Sequence, residues 1–298
     1  MGADMHRHDL VFIGHVTIDE IEAKEGSAHG VPGGAPYFGT FAACWSKKRI
    51  AVVTRMAEED AHLLDPLKAA GVDVYLQPVP LTTHMRVVHP TGNADERVMV
   101  QSQNAGFFVH ADIPPIESGL IHLGALTDRE FSLEFMQHLK QRGFRLSVDM
   151  QNSVRQVDTE TGVIHFRDVQ DKREITGLAD IVKLDVVEAE VLTGTRNMEE
   201  AAKRVEKWGA PESILTCSDG AFARYRGKTH FEKFSNTSSQ GRTGRGDTTM
   251  GAYLARRTDH SVQESLGFAV ALASIKMETP GPFRAPLEEV LKRLRESP

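Results

Sequence analysis

The sequence is short of the residues that mark several protein classes. Cysteine occurs twice, at Cys44 and Cys217, and tryptophan twice, in 298 residues. Two thiols set in apolar stretches cannot frame a disulfide-stapled fold, so a reducing compartment, the cytoplasm, is expected. Positive charge is also in deficit, with 35 Lys and Arg against 41 Asp and Glu and a formal net charge of -6. No global basic field is available to attract nucleic acid. No run of about 18 apolar residues occurs and no basic-then-apolar leader opens the chain, so no membrane partner is expected. Internal repeats, low-complexity tracts and linkers are absent too. His6 and His8 have a spacing that can catch a stray metal, but they read as part of a mobile polar N-terminus.

What is present is ordinary globular composition, 40% hydrophobic and 26% charged, in a chain long enough for a large core. Short apolar runs alternate with amphipathic stretches. Strands are expected at Asp9–Gly14, Arg49–Met56, Leu120–Leu126, Phe144–Met150, Asp180–Asp185 and Ser213–Ser218. Phe131, Phe135, Met136 and Leu139 share one helical face that stops at Gly143, and a similar helix stops at Gly209. Strands alternating with helices imply βαβ units and a parallel sheet covered on both faces. From Val72 to Ser102 the rhythm changes to strand, strand, turn, strand, with Gly92-Asn93 in a hairpin turn. This section reads as a small antiparallel flap, to which the segment after the first strand adds one more strand. The expectation is a single domain, 1–298, with a small β-sheet lid from about 15–32 and 82–104. Ser261–Glu278 is apolar enough for a buried helix, and Pro286–Ser297 is amphipathic.

The chemistry concentrates in "GRTGRGDTTMGAYLARR", Gly241 to Arg257. Glycines at 244 and 246 let consecutive N–H groups face one concavity, and the helix that follows adds free donors and a positive dipole end. Such a loop can hold the oxyanions of a transferring phosphoryl group, and Asp247 can take a proton from an attacking hydroxyl. The alternative is a plain turn with Asp247 as an N-cap. Gly14 ends the first strand and Asp19 lies five residues on; Gly33-Gly34 opens a small-residue helix, Pro36 to Ala43. Asp185 and Glu188 sit where a strand runs into a helix, spaced to share one side of its first turn, where they can orient Mg2+ or its waters. "VDMQNSVRQ" brings Asp149, Gln151, Asn152 and Arg155 to the carboxyl edge of the sheet, where ligands bind in doubly wound folds. Arg155 there is either a group that reaches a phosphate or an acidic substrate, or a solvated surface arginine.

This ordered set resembles the PfkB/ribokinase-type carbohydrate kinase family over nearly the whole chain. The resemblance implies a ribokinase-like α/β fold, a doubly wound, mainly parallel sheet flanked by helices with a β-sheet lid. It implies transfer of the γ-phosphoryl group of ATP to a substrate hydroxyl. By position Asp247 is then the general base, and the amides of Gly244, Arg245 and Gly246 form the anion hole. Asp19, Gly33, Gly34 and Asn104 are the substrate-binding candidates. Glu188, with Asp185 where the family usually has Asn, organises Mg2+. Asp185, Thr216, Ser218, Gly220, Ala273, Lys276 and Gly281 border the nucleotide.

Three departures shape the expected substrate. Gly241 stands where an acidic residue often helps bind a monovalent cation, so weak or absent potassium activation is expected. Ala35 and Phe38 stand where ribokinase-like members have Lys and Asn, which argues against ribose in the usual pose. No basic cluster marks the pocket in the sequence, so a neutral sugar or an inositol-like polyol is expected, with a nucleoside as the alternative. A monomer or weak homodimer is expected, because the flap is short. A nicotinamide-dependent oxidoreductase would need Gly-x-Gly-x-x-Gly after the first strand, and Gly14 is followed by "HVTIDEI". A non-catalytic binding protein would not need Asp247, Glu188 and both loop glycines.

Overall fold

The structure, a computed structural model, describes residues 6–23, 26–88 and 97–296. Its main sheet runs in the order Lys228–Lys233, Gly220–Tyr225, Glu212–Thr216, Ile181–Asp185, Leu146–Asp149, Ile121–Leu123, Leu10–Ile13, Ile50–Met56, Asp73–Pro78. From Glu212–Thr216 onward the strands are all parallel, and the first two are antiparallel. All six expected strands are here, five of them a residue or more shorter and the sixth, expected at Ser213–Ser218, shifted to Glu212–Thr216.

The first strand shows why the apolar runs read correctly. Every residue of Leu10–Ile13 is buried. Leu10 and Phe12 feed one apolar cluster, with the helices Ala35–Ala43, Arg245–Arg257 and Val262–Met277, while Val11 and Ile13 feed the other, with Leu133–Gln141 and Met198–Lys207. Period-two side chains in a strand buried on both faces require apolar residues at every position. Each large apolar side chain so buried contributes about 1.5–3 kcal/mol. The helices carry local start signals: Ser132, Asn197 and Ser261 each accept an N-cap hydrogen bond from the backbone of the first turn. Among the described residues no helix is long and apolar enough to cross a membrane.

A second sheet, in the order Gly26–Gly33, Thr17–Ala23, His84–Val88, Val98–Gln103, forms the lid. The segment after the first strand thus supplies two lid strands rather than one. Asp73–Pro78 does not belong to the flap; it pairs with Ile50–Met56 as the edge of the main sheet. The expected turn at Gly92-Asn93 lies outside the described residues. The N-terminus is not a mobile tail from residue 6 onward: His6–His8 pairs with Ile116–Ser118, and His8 is buried with its Nε2 2.9 Å from Asp73 Oδ2.

One close crossing fixes the loop that matters. A Cβ on Gly251 would fall 2.0 Å from the Gly39 carbonyl oxygen, so the helices Ala35–Ala43 and Arg245–Arg257 touch backbone to backbone. A side chain at 251 does not fit that approach, and one at Gly39 would press on the Phe12 ring at 2.9 Å; the crossing sets the start of the second helix above the carboxyl ends of the central strands.

Candidate active site

The helix Arg245–Arg257 begins from Gly244, held at φ 77° in the left-handed region. A Cβ there would also meet the Phe38 ring at 2.4 Å. Glycine is therefore required by conformation and by space. The Gly244 carbonyl accepts from Thr248 N at 2.8 Å, starting the helix. The amide of Arg245 donates to Arg242 O at 3.0 Å. That amide closes a turn and so does not face the cleft as expected of an anion-hole donor. The amides of Gly244 and Gly246 take no partner among the described residues, and they remain the donors this loop offers. The Arg245 guanidinium lies over the Phe234 ring, 5.6 Å from its centroid, and lines the cleft.

Asp247 and Asp19 line this cleft together. Asp19 comes from the lid strand Thr17–Ala23 and is 6% exposed. Thr17 Oγ1 donates to its Oδ1 at 2.6 Å, and its Oδ2 would be 1.9 Å from a Cβ on Gly33. Burial pushes the Asp19 carboxyl up to about 7; the Thr17 hydrogen bond opposes this and the charge of Asp247 adds to it. Gly34 also lines the cleft.

Under the loop sits Lys183, which the sequence reading passed over. A Cβ on Gly246 would be 3.3 Å from its Cε and Nζ. Its ammonium pairs with Asp149 at 2.8 Å, both side chains almost fully buried. Burial works against that charge, but Asp149, Glu188 and Asp247 outweigh it and hold the lysine protonated. Lys183 and Asp185 occupy alternate positions of one strand, so the period-two rule puts both on one face.

Asp185 and Glu188 form a reciprocal cap. Asp185 Oδ1 accepts from the amides of Val187 and Glu188, and Glu188 Oε2 accepts from the amide of Asp185. Their outer oxygens hold arginines: Arg97 reaches Asp185 Oδ2 at 2.6 Å and Arg155 reaches Glu188 Oε1 at 2.8 Å. Burial alone would raise Asp185, but Arg97, Arg155 and Lys183 hold it well below the ordinary carboxylate range. Arg155, 8% exposed, is thus neither a surface arginine nor an open phosphate ligand. Two arginines already neutralise these carboxylates at 2.6 and 2.8 Å, which does not fit a divalent cation ligated directly by both of them. Among the described residues no cluster of three His, Cys, Asp or Glu is placed to hold a metal.

The cleft is cationic, contrary to the expectation that no basic cluster marks it. Arg97, Arg155, Lys183, Arg242 and Arg245 line it against the carboxylates of Asp19, Asp185 and Asp247. These cations come from distant segments and converge only in the fold. Two buried polar atoms facing it have no hydrogen-bond partner among the described residues, Gln151 Nε2 and Thr216 Oγ1. Met85, Val87 and Met99 of the lid, with Phe38, form an apolar wall.

The remaining candidates lie outside that lining. Asn104 donates to Gln101 Oε1 and accepts from the Gly106 amide, shaping the lid's return. Ser218 and Gly281 are exposed, Gly220 is buried in a strand paired on both sides, and Ala273 is fully buried. Lys276 is 2% exposed and donates to the carbonyl oxygens of Gly241 and Thr243. Of the residues expected to border a nucleotide, the cleft includes Asp185 and Thr216.

Comparison with known proteins agrees with this picture. The family model of pfkB family carbohydrate kinases matches residues 7–289. A cytidine kinase of Thermococcus kodakarensis is 27% identical over 262 residues, covering 83% of this chain and 87% of that protein. A pyrophosphate-dependent kinase in the ribokinase family, solved with a pyrophosphate analogue and myo-inositol, superposes with a TM-score of 0.86 at 28% identity, covering 95% of this chain and 99% of that one. Arabidopsis thaliana ribokinase, solved with ribose and ATP, shares the fold with a TM-score of 0.71 at 20% identity, covering 97% and 99%.

Proposed function

This chain belongs to the pfkB family of carbohydrate kinases, and on that premise we propose that it transfers a phosphoryl group from inorganic pyrophosphate to a hydroxyl of an inositol-like ring polyol. The observation that carries the reading is the pairing of Asp247, in the first turn of a helix with open amides, with a buried Asp19 in the same cationic cleft. Asp19 and Gln151 offer an acceptor and a donor for hydroxyls of the acceptor substrate. Asp247 takes the proton of the attacking hydroxyl as its oxygen bonds to phosphorus. The bond from phosphorus to the bridging oxygen breaks, and its electron pair leaves with orthophosphate. Positioning and charge do most of the work in such a transfer. The amides of Gly244 and Gly246 and the ammonium of Lys183 meet the developing negative charge.

Two features favour pyrophosphate as donor. Lys183, Arg242 and Arg245 bring cationic side chains to the cleft beside the loop, and the lining includes Thr216 but not Ser218, Ala273 or Gly281. A donor that is phosphate throughout needs the cations and no base slot. The similar kinase solved with a pyrophosphate analogue supports the same choice. ATP, the donor that the family resemblance implies, is the second reading. For the acceptor, the apolar wall of Met85, Val87, Met99 and Phe38 favours a nucleobase as second reading, as does the likeness to a cytidine kinase.

The test is a donor-by-acceptor matrix followed by phosphorus NMR: pyrophosphate or ATP against myo-inositol, other cyclitols, ribose and cytidine. Phosphorylated cyclitol with pyrophosphate is the expected product. Turnover with ATP alone defeats the donor assignment, and turnover with cytidine alone defeats the acceptor assignment.

A further inference from the structure

Lys276 is an amine buried in a helix that is otherwise apolar and enclosed; burial pulls it down to about 7, and the charge of Asp247 opposes that. Of the helix Val262–Met277, residues Ser265 to Met277 are all buried. Its ammonium does not meet a carboxylate at bonding distance. It donates to two backbone carbonyl oxygens of the catalytic loop, those of Gly241 and Thr243. It also sits 4.9 Å from the centroid of the Phe38 ring, the ring against which Gly244 packs. The loop is tied to the same helix end by Gly241 N, which donates to Met277 O at 2.8 Å.

The peptide bond transmits this grip. In a trans peptide the carbonyl and the following N–H point in opposite directions. With the Thr243 carbonyl turned to the lysine, the Gly244 amide points away from it, and nothing among the described residues accepts that amide. Of the two amides that the loop leaves open among the described residues, that of Gly244 is thus set by a carbonyl that the ammonium holds.

We propose that the Lys276 ammonium is a built-in monovalent cation, held by the Gly241 and Thr243 carbonyls, that orients the Gly244 amide toward the transferring phosphoryl group. It is a positioning residue and touches no substrate. Carbonyl oxygens converging on a buried point charge are the donor set that suits a large, weakly hydrated alkali cation, and a lysine ammonium carries the same charge on a covalent stem. This rests on the phosphoryl-transfer reading for its catalytic consequence, but the cation site itself does not.

The test removes the ammonium in two ways. Lys276→Ala leaves space between the carbonyls; Lys276→Met fills the space without charge. Thermal melting and turnover of both variants and the native protein are measured in lithium, sodium, potassium and ammonium chloride at equal ionic strength. The native protein is expected to melt and turn over alike in sodium and potassium. The alanine variant is expected to lose about tenfold to a hundredfold in kcat, since an anion-hole donor is misdirected rather than deleted. Potassium and ammonium should raise its melting temperature and restore part of its rate, and lithium should do neither. The methionine variant should stay slow in every salt. An alanine variant as fast as the native protein overturns the proposal. So does one that is slow and melts identically in all four salts. If the native protein turns over no donor, the phosphoryl-transfer reading has failed, and the cation-selective melting of the alanine variant still decides the site.

Discussion

Asp19→Asn isolates the electrostatic strain that the site imposes on its own carboxylate. The carboxyl is 6% exposed and its pKa rises from 3.8 to about 7, burial first, with the charge of Asp247 adding to it. In the unfolded chain the same group ionises near 3.9. Below that value it is protonated in both states and carries no penalty. As the pH rises the unfolded chain ionises first, so the native state loses stability progressively until the folded pKa is passed. At about 1.4 kcal/mol per unit, the penalty is under about 2 kcal/mol at pH 5 and about 4 kcal/mol at pH 8. The asparagine has no charge to lose. Its Oδ1 can still accept the Thr17 hydroxyl, and its new amide has a desolvation cost of about 1–3 kcal/mol that does not vary with pH.

The decisive quantity is therefore the change between two pH values, not the stability at either. Urea unfolding of native protein and variant at pH 5 and pH 8 should show the variant gaining about 2–3 kcal/mol on the native protein between them. Buried groups common to both, such as His15 and Glu130, cancel in that difference. The same variant should lose kcat/KM for the acceptor, because a carboxylate that accepts from a hydroxyl has become an amide. A stability difference that is equal at pH 5 and pH 8 refutes the reasoning, since it means Asp19 ionises in the native state as an ordinary carboxylate.

Asp247→Asn should fold with an unchanged circular dichroism spectrum and lose at least about 10²-fold in kcat, the lower end of what a positioned base contributes; near-native turnover removes it from that role. Arg245→Ala should keep kcat within about tenfold, about 1.4 kcal/mol on the barrier, because the loop offers backbone amides whatever that side chain is; a loss near that of Asp247→Asn means the guanidinium meets the phosphoryl group. Arg97→Ala breaks the 2.6 Å pair with Asp185 that ties the lid to the main sheet, leaving Arg155 at 3.6 Å. Losing one charge-assisted bond of about 1.5–3 kcal/mol should raise the donor KM about tenfold to a hundredfold with little change in kcat, and steady-state kinetics with varied donor will show whether KM moves.

The parts of this fold that could be read in advance are those with a one-dimensional signature. A parallel strand buried on both faces is an unbroken apolar run, and Leu10–Ile13 was legible for that reason; Ile181–Asp185 was legible from Ile181, Val182 and Leu184, although Lys183 and Asp185 interrupt the run. Strands with mixed exposure were not. Asp73–Pro78, exposed at its ends and half-buried between, resembles a lid strand, and its place at the sheet edge is set by pairing with Ile50–Met56. The antiparallel strands Gly220–Tyr225 and Lys228–Lys233 are joined by a tight turn with Arg226 at φ 49° and Gly227 at φ 78°, and an arginine in the left-handed region weakens the signal that the glycine gives. The turn that opens the helix Arg245–Arg257 was legible because Gly-x-Gly-Asp before a helix constrains the backbone itself.

The charges around that loop were not legible, because their meaning depends on partners far away in the chain. Arg97, Arg155 and Lys183 each look like a solvated residue in its own segment, and only the fold brings them to one cleft. Lys276 read as a nucleotide neighbour, although its partners are two carbonyl oxygens some 35 residues earlier. Asp185 and Glu188 are the sharpest case. Their i, i+3 spacing fits two carboxylates aimed at a metal, and equally an N-cap with its N3 partner. The structure uses it as the second: each side chain accepts from the other's backbone amide, and the outward oxygens are taken by Arg97 and Arg155. Spacing alone cannot separate the two uses. What separates them is whether cations arrive from elsewhere in the fold, and here two arginines do, one beside the lid strand Val98–Gln103 and one from the short strand Arg155–Val157 of a separate two-stranded sheet. The carboxylate pair that looked like a place for a metal is therefore held by two arginines, and through Arg97 it ties the lid to the main sheet.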